Sequence, residues 1–82
     1  MPDEQQLLSR IRDYVTQLIA RTTQLEASQI DEEEALEEYG VDSLMIMTLN
    51  TELEAKLGKV SKTLFFEYPS VAEVAEYLLD HH

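Results

Sequence analysis

The chain has 82 residues, 44% hydrophobic and 28% charged, which is room for one small domain with a thin apolar core rather than the depleted composition of a disordered chain. The absence of Cys excludes disulfides, thiolate nucleophiles and Cys-ligated metal, and two glycines are too few for a phosphate-cradling loop or a dinucleotide fingerprint. Seventeen acidic residues against six basic ones, a net charge of −11, turn the chain away from nucleic acid and anionic membranes and toward protein partners.

The opening Met1-Pro2-Asp3-Glu4 lacks the basic-then-apolar order of a signal peptide, and no apolar run approaches the ~18 residues of a membrane span. The chain therefore reads as a soluble, cytoplasmic, monomeric domain over residues 1–82, with a core of about 4–79. From Leu7, the residues Leu7, Leu8, Ile11, Tyr14, Val15, Leu18 and Ile19 fall on one stripe of a helix, predicted over 3–21, with Asp3 as N-cap and Glu4 at the positive end of its dipole. From Thr22 to Val41 the period is lost, but Leu25, Ile30, Leu36, Tyr39 and Val41 recur among acidic residues. A structureless loop of about 20 residues is unusual in a compact domain, so these apolar residues are expected to pin it, with a helical turn in Glu32 to Glu38.

A second long helix opens at Asp42, whose carboxylate suits the first-turn amides, and closes at Gly58, which favours the left-handed conformation that ends helices. On its wheel Ile46, Leu49, Leu53 and Leu57 lie within about 80° of one another as a core seam. Leu44, Met47, Thr48 and Thr51 lie on another side, with Leu44 half a turn from the seam. Leu44 and Met47 are either buried against the loop or held out as a contact surface. Lys62 to Tyr68 is a short helix ended by Pro69, with Phe65 and Phe66 packing inward. Ser70 and Glu73 form a capping box ahead of a last helix that turns Val71, Val74, Ala75 and Leu78 to the core. The class is an all-α four-helix bundle, three longer helices and one short one with a long structured loop between the first two. His81 and His82 end the chain as a tag stub or a frayed end, which leaves no internal His for a general base or a multi-His metal site.

Ser43 stands out among the polar residues. It lacks an internal His, a Ser-x-x-Lys arrangement and a nucleophile elbow, so self-contained nucleophilic catalysis is not expected. It does stand at the first helical position after a capping Asp, where unpaired backbone amides favour a bound or attached phosphate. The bland alternative is an ordinary exposed serine at a helix start. The acidic run Asp31 to Glu38 is either a solvated face or a patch for a basic partner; a calcium loop is a poor third reading because, with Asp31 as position 1, the required glycine would fall at Leu36.

Gly40-Val41-Asp42-Ser43-Leu44 resembles the attachment motif of acyl carrier proteins, and Thr63-Leu64-Phe65-Phe66-Glu67-Tyr68-Pro69-Ser70 resembles the downstream segment of carrier domains from modular polyketide synthases. The resemblance runs from about Leu7 to Leu79. It implies a non-catalytic carrier of polyketide or antibiotic biosynthesis, whose Ser43 receives 4′-phosphopantetheine from coenzyme A through a separate, magnesium-dependent phosphopantetheinyl transferase. The distal thiol would hold acyl intermediates as thioesters for ketosynthase, acyltransferase and other synthase domains. By the same resemblance Asp42 is the partner residue before the attachment serine, Leu44 is the apolar docking residue, Met47, Thr48 and Thr51 extend that face, and Phe65 and Phe66 flank the arm or the core beneath it. Freestanding fatty-acid carriers bear acidic residues where this chain has Met45, Met47, Thr48 and Thr51, which points to a domain of a multienzyme whose partners are already tethered nearby. Two alternatives stand beside it: a peptidyl carrier of a nonribosomal synthetase, whose Gly-Gly before the serine is replaced here by Val41-Asp42, and an unmodified acidic helical adaptor.

Overall fold

A computed structural model describes residues 3–61 and 63–81. Four α-helices follow one another, α1 (Glu4–Thr23), α2 (Ser43–Leu57), α3 (Leu64–Glu67) and α4 (Val71–His81), and no strand occurs among the described residues. The expected all-α bundle of three longer helices and one short one is what forms. α1 is capped as its sequence requires, with Asp3 Oδ1 accepting from the Gln6 amide at 2.8 Å. It continues past residue 21 and ends at Gln24, a non-glycine residue in the left-handed region (φ 62°), which lets the Gln24 and Leu25 amides close back onto the Ala20 carbonyl.

Helix α1 packs chiefly against α4 and less extensively against α2. The core is built from Val15, Leu18 and Ile19 of α1, Leu49 and Leu53 of α2, and Val71, Val74 and Leu78 of α4, all at most 1% exposed. Three inner-face expectations fail. Leu57 is 37% exposed: it lies on the last turn of α2, and Gly58 (φ 88°, ψ −163°) then turns the chain so that Val60 fills the core in its place. This glycine uses a positive φ outside the left-handed helical region expected of a cap. Phe66 is 61% exposed, because α3 is a single turn in which neighbours point about 100° apart, and Leu64 and Phe65 already occupy its inner side. Leu7 of the predicted α1 stripe is also exposed.

The long loop is held as the sequence required, with Ile30 and Leu36 buried and Tyr39 and Val41 packed on the core; Leu25 is half-buried. Its helical character lies in two short 3-10 turns, Ala27–Gln29 and Leu36–Tyr39, the second overlapping the end of the stretch Glu32 to Glu38 where a turn was expected. Backbone bonds stitch the loop to the start of α4: the Leu36 amide donates to Pro69 O at 2.8 Å, and the Ala72 amide donates to Glu32 O at 2.9 Å. The Tyr39 hydroxyl accepts from the Asp31 amide at 2.7 Å. At α4 the Ser70 hydroxyl accepts from the Glu73 amide at 3.3 Å, the capping half of the predicted box. The helix then runs through His81, whose ring stacks on Tyr77 with centroids 4.2 Å apart, so His81 is ordered helix and not a frayed end; His82 and Lys62 lie outside the described residues.

These positions separate in stability. Leu53→Ala should cost about 2–5 kcal/mol by chemical denaturation, while Leu57→Ala, at the half-solvated end of the same helix, should cost less than about 1 kcal/mol. The Thr16 hydroxyl is buried in the α1 interface without a hydrogen-bond partner among the described residues. Thr16→Val keeps the shape and removes the unpaired group, and should raise stability by about 1 kcal/mol.

Candidate functional site

The site begins with how α2 is started. Asp42 lies in extended backbone (φ −111°) and its Oδ1 accepts from the Met45 amide at 2.9 Å, while its carbonyl accepts from Ile46 at 2.9 Å. This arrangement makes Ser43 the first helical residue. The amides of Ser43 and Leu44 therefore precede the first intrahelical acceptor and stay available at the positive end of the helix. Just upstream, Gly40 takes a left-handed conformation (φ 79°, ψ 18°) that ends the second 3-10 turn and aims the chain into α2. A Cβ on Gly40 would meet nothing within 4 Å, so the demand for glycine comes from the backbone angle alone.

Ser43 is exposed, and its hydroxyl makes no hydrogen bond to another described residue. Leu44 beside it is 74% exposed and Met47, one turn on, is 65% exposed. Thr48 and Thr51 share this side, and each hydroxyl donates back to its own helix, Thr48 to Leu44 O at 3.2 Å and Thr51 to Met47 O at 2.9 Å. The hydroxyl hydrogens are thus spent on the backbone, which leaves each side chain its methyl group and an oxygen that can only accept. From Ser43 to Thr51 no residue is charged, so an uncharged, largely apolar strip runs from the serine along a chain of net charge −11. The sequence placed these four residues together; the back-bonded threonines were not legible in it.

On the other side of Ser43 a groove of about 360 Å³ opens between the loop, α2 and α3. Buried Leu36 and Phe65 form its floor, with half-buried Val41 and Ile46 along it. Exposed Phe66 and Pro69 stand at its edge, as do Glu37, Asp42 and Ser43 itself. Phe65 is thus both core and groove lining, whereas Phe66, expected to pack inward, stands at the edge. The contribution of Glu37 escaped sequence reasoning, because the groove closes only where α3 and Pro69 fold back beside the loop and the start of α2, a juxtaposition that no spacing rule gives. A second groove, of about 380 Å³, lies on the far side of Leu44 between α1 and α2, where Arg21 and Glu52 pair at 3.4 Å. Both partners are exposed, and the pair contributes little. Burial pushes the nearby Tyr14 phenol above its ordinary value of 10.0, with Arg21 opposing and Glu52 adding to the shift. No group of three or more His, Cys, Asp or Glu able to hold a metal ion occurs among the described residues, and none of their helices is long and apolar enough to cross a membrane.

Residues 13–78 match the family described as the phosphopantetheine attachment site. The chain belongs to that family. Members of this carrier family hold 4′-phosphopantetheine covalently. Among curated proteins, the chain is 42% identical over 78 residues to polyketide synthase PksL of Bacillus subtilis, covering 95% of this chain and 2% of that one. It is 32% identical over 76 residues to polyketide synthase ThaG of Burkholderia thailandensis, covering 93% of this chain and 1% of that one. The carrier domain therefore spans a few hundredths of the length of these relatives. Among solved structures, the HMG-ACPI domain of the CurA module from Lyngbya majuscula shares the fold, with a TM-score of 0.84 and 24% identity over 90% of this chain and 76% of that one. A free-standing peptidyl carrier protein from Acinetobacter baumannii gives a TM-score of 0.79 and 26% identity over 99% and 98% of the two chains. The bundle is thus common to acyl and peptidyl carriers, and the fold alone does not separate the two.

The residues present fit the family's phosphate-linked arm: a solvent-facing hydroxyl, free first-turn amides for a phosphodiester, and no bulky neighbour bonded across it. The cap that creates this start is testable. Asp42→Ala should lower stability by about 0.5–2 kcal/mol and Asp42→Asn much less, read by denaturation and by faster amide exchange in the first turn of α2. Gly40→Ala should cost about 1–2 kcal/mol with no steric clash to relieve.

Proposed function

We propose that the chain is one carrier unit of a polyketide synthase, that Ser43 is its attachment point, and that it tethers acyl intermediates as thioesters without performing chemistry itself. The observation that carries this reading is the exposed, unbonded Ser43 hydroxyl at the capped start of α2, inside the stretch that matches the attachment family. A separate phosphopantetheinyl transferase would join Ser43 Oγ to the phosphorus of the arm as the pyrophosphate bond of coenzyme A breaks and the adenosine bisphosphate leaves. Asp42 contributes by fixing the helix start, and the first-turn amides by facing the resulting phosphodiester. The arm supplies the thiol; the protein supplies its position, keeping cargo at high effective concentration near successive active sites.

The named relatives favour polyketide over peptidyl cargo, since the curated proteins quoted above are polyketide synthases and the peptidyl carrier matches at lower identity. Leu44, Met47, Thr48 and Thr51 form the docking strip for the transferase and for synthase partners such as ketosynthase and acyltransferase domains. Its apolar, uncharged surface supports that role, as a large exposed Leu and Met side by side are uncommon unless something covers them.

Incubation with coenzyme A and a broad-specificity transferase should add the mass of one phosphopantetheine, and Ser43→Ala should abolish the addition; a gain that survives Ser43→Ala would refute the assignment. Leu44→Ala, at an exposed position, should leave the fold intact and lower the transferase kcat/KM about tenfold, equivalent to about 1.4 kcal/mol. Because the strip is uncharged, that loss should persist at high salt.

A further inference from the structure

Sulfur enters this chain only through methionine, since it has three Met and no Cys. Met1 lies outside the described residues, Met45 is half-buried near the start of α2, and Met47 is 65% exposed. Met47 stands one helical turn after Ser43 and beside Leu44, within the strip read above as the docking surface. A leucine or isoleucine there would supply similar apolar area, but neither reacts with a peroxide, whereas an exposed thioether does.

Resting on the docking reading of this strip, we propose that Met47 is a modification site, oxidised reversibly to methionine sulfoxide by a hydroperoxide, and that the sulfoxide weakens docking. A sulfur lone pair attacks the terminal peroxide oxygen, the S–O bond forms as the O–O bond breaks, and the proton passes to the departing oxygen. Sulfur loses two electrons and the peroxide gains them; with hydrogen peroxide the leaving product is water. The return step belongs to a methionine sulfoxide reductase, in which two thiols become a disulfide and the oxygen leaves as water.

The product changes the strip in kind. Its S–O group is a strong acceptor that stays hydrated while exposed. Leu44 has no side-chain donor, and the hydroxyls of Thr48 and Thr51 already donate to Leu44 O and Met47 O. A partner closing over the strip must remove water from the new oxygen, and the strip gives no hydrogen bond in return, so the cost falls on docking. The fold is spared, because α2 meets the core through Leu49 and Leu53, both 0% exposed, and Met47 lies outside that cluster. Partial burial of Met45 slows the approach of peroxide to its sulfur and makes Met47 the preferred target.

The test treats the 82-residue chain, before the arm is attached, with dilute hydrogen peroxide and maps the added oxygen by peptide mass spectrometry. Met47 should gain it at least about threefold faster than Met45. With coenzyme A and a broad-specificity phosphopantetheinyl transferase, the oxidised chain should show a kcat/KM at least about fivefold below that of the untreated chain, with Leu49 and Leu53 methyl NMR signals unchanged. The two reductases that act on the opposite sulfoxide epimers should restore it. Met47→Leu keeps Met1 and Met45, and its kcat/KM should be the same before and after peroxide. An unchanged kcat/KM in the oxidised chain, an equal fall in Met47→Leu, or faster oxidation of Met45 would overturn the proposal. Met47→Ala separates that failure from failure of the docking reading: a lowered kcat/KM in Met47→Ala leaves the strip standing, and an unchanged one removes the strip as well. An untreated chain that takes up no phosphopantetheine would overturn attachment at Ser43 and the proposal with it.

Discussion

The hydrogen bond from the Met45 amide to the Asp42 carboxylate, 2.9 Å long, is the constraint on which the rest of the site depends. It fixes where α2 begins, and from that start the side chains follow one another at about 100° around the helix axis. With Asp42 as the cap, Ser43 faces water with open amides beside it, Leu44 and Met47 point outward, and Leu49 and Leu53 point into the core. Gly40 serves the same end from the other side, because its positive φ delivers the chain to Asp42 in extended form. Exposed hydroxyl, apolar strip and core are in this sense three readouts of one helix phase.

The electrostatics of the domain are uneven in a way that its net charge hides. Acidic residues crowd the loop, at Asp31 to Glu34 and at Glu37 and Glu38, yet the exposed side of α2 from Ser43 to Thr51 carries none. Back-bonding of Thr48 and Thr51 occupies even the hydrogens of their hydroxyls. A partner approaching Ser43 thus meets an apolar strip on one side and carboxylates on the other. Negative charge and exposed apolar area are thus assigned to different parts of the surface.

Much of this was legible in the sequence, for identifiable reasons. α1, α2 and α4 are long enough for their periods to declare them, and Asp3, Asp42 and Ser70 cap helices because short oxygen-bearing side chains at those positions have amides to accept from. The misreadings fall where packing overrides pattern. Leu57 fits the seam of α2 by angle but lies beyond the reach of the opposing helices, and Val60 replaces it after a turn that no periodicity encodes. Phe65 and Phe66 are equivalent by composition, and only the single-turn length of α3 decides that one is buried and the other is not. Gln24, in a conformation usually left to glycine, hid the true end of α1.

Pro69 has one further consequence. Lacking an amide hydrogen, it ends α3, and its carbonyl accepts from Leu36 at 2.8 Å, on the floor of the groove. Three residues later, Ala72 at the start of α4 reaches back to Glu32. The acidic loop is therefore latched at two points to the segment that leads from α3 into α4, so that lifting the loop away would lay the Leu36 and Ala72 amides open to exchange together.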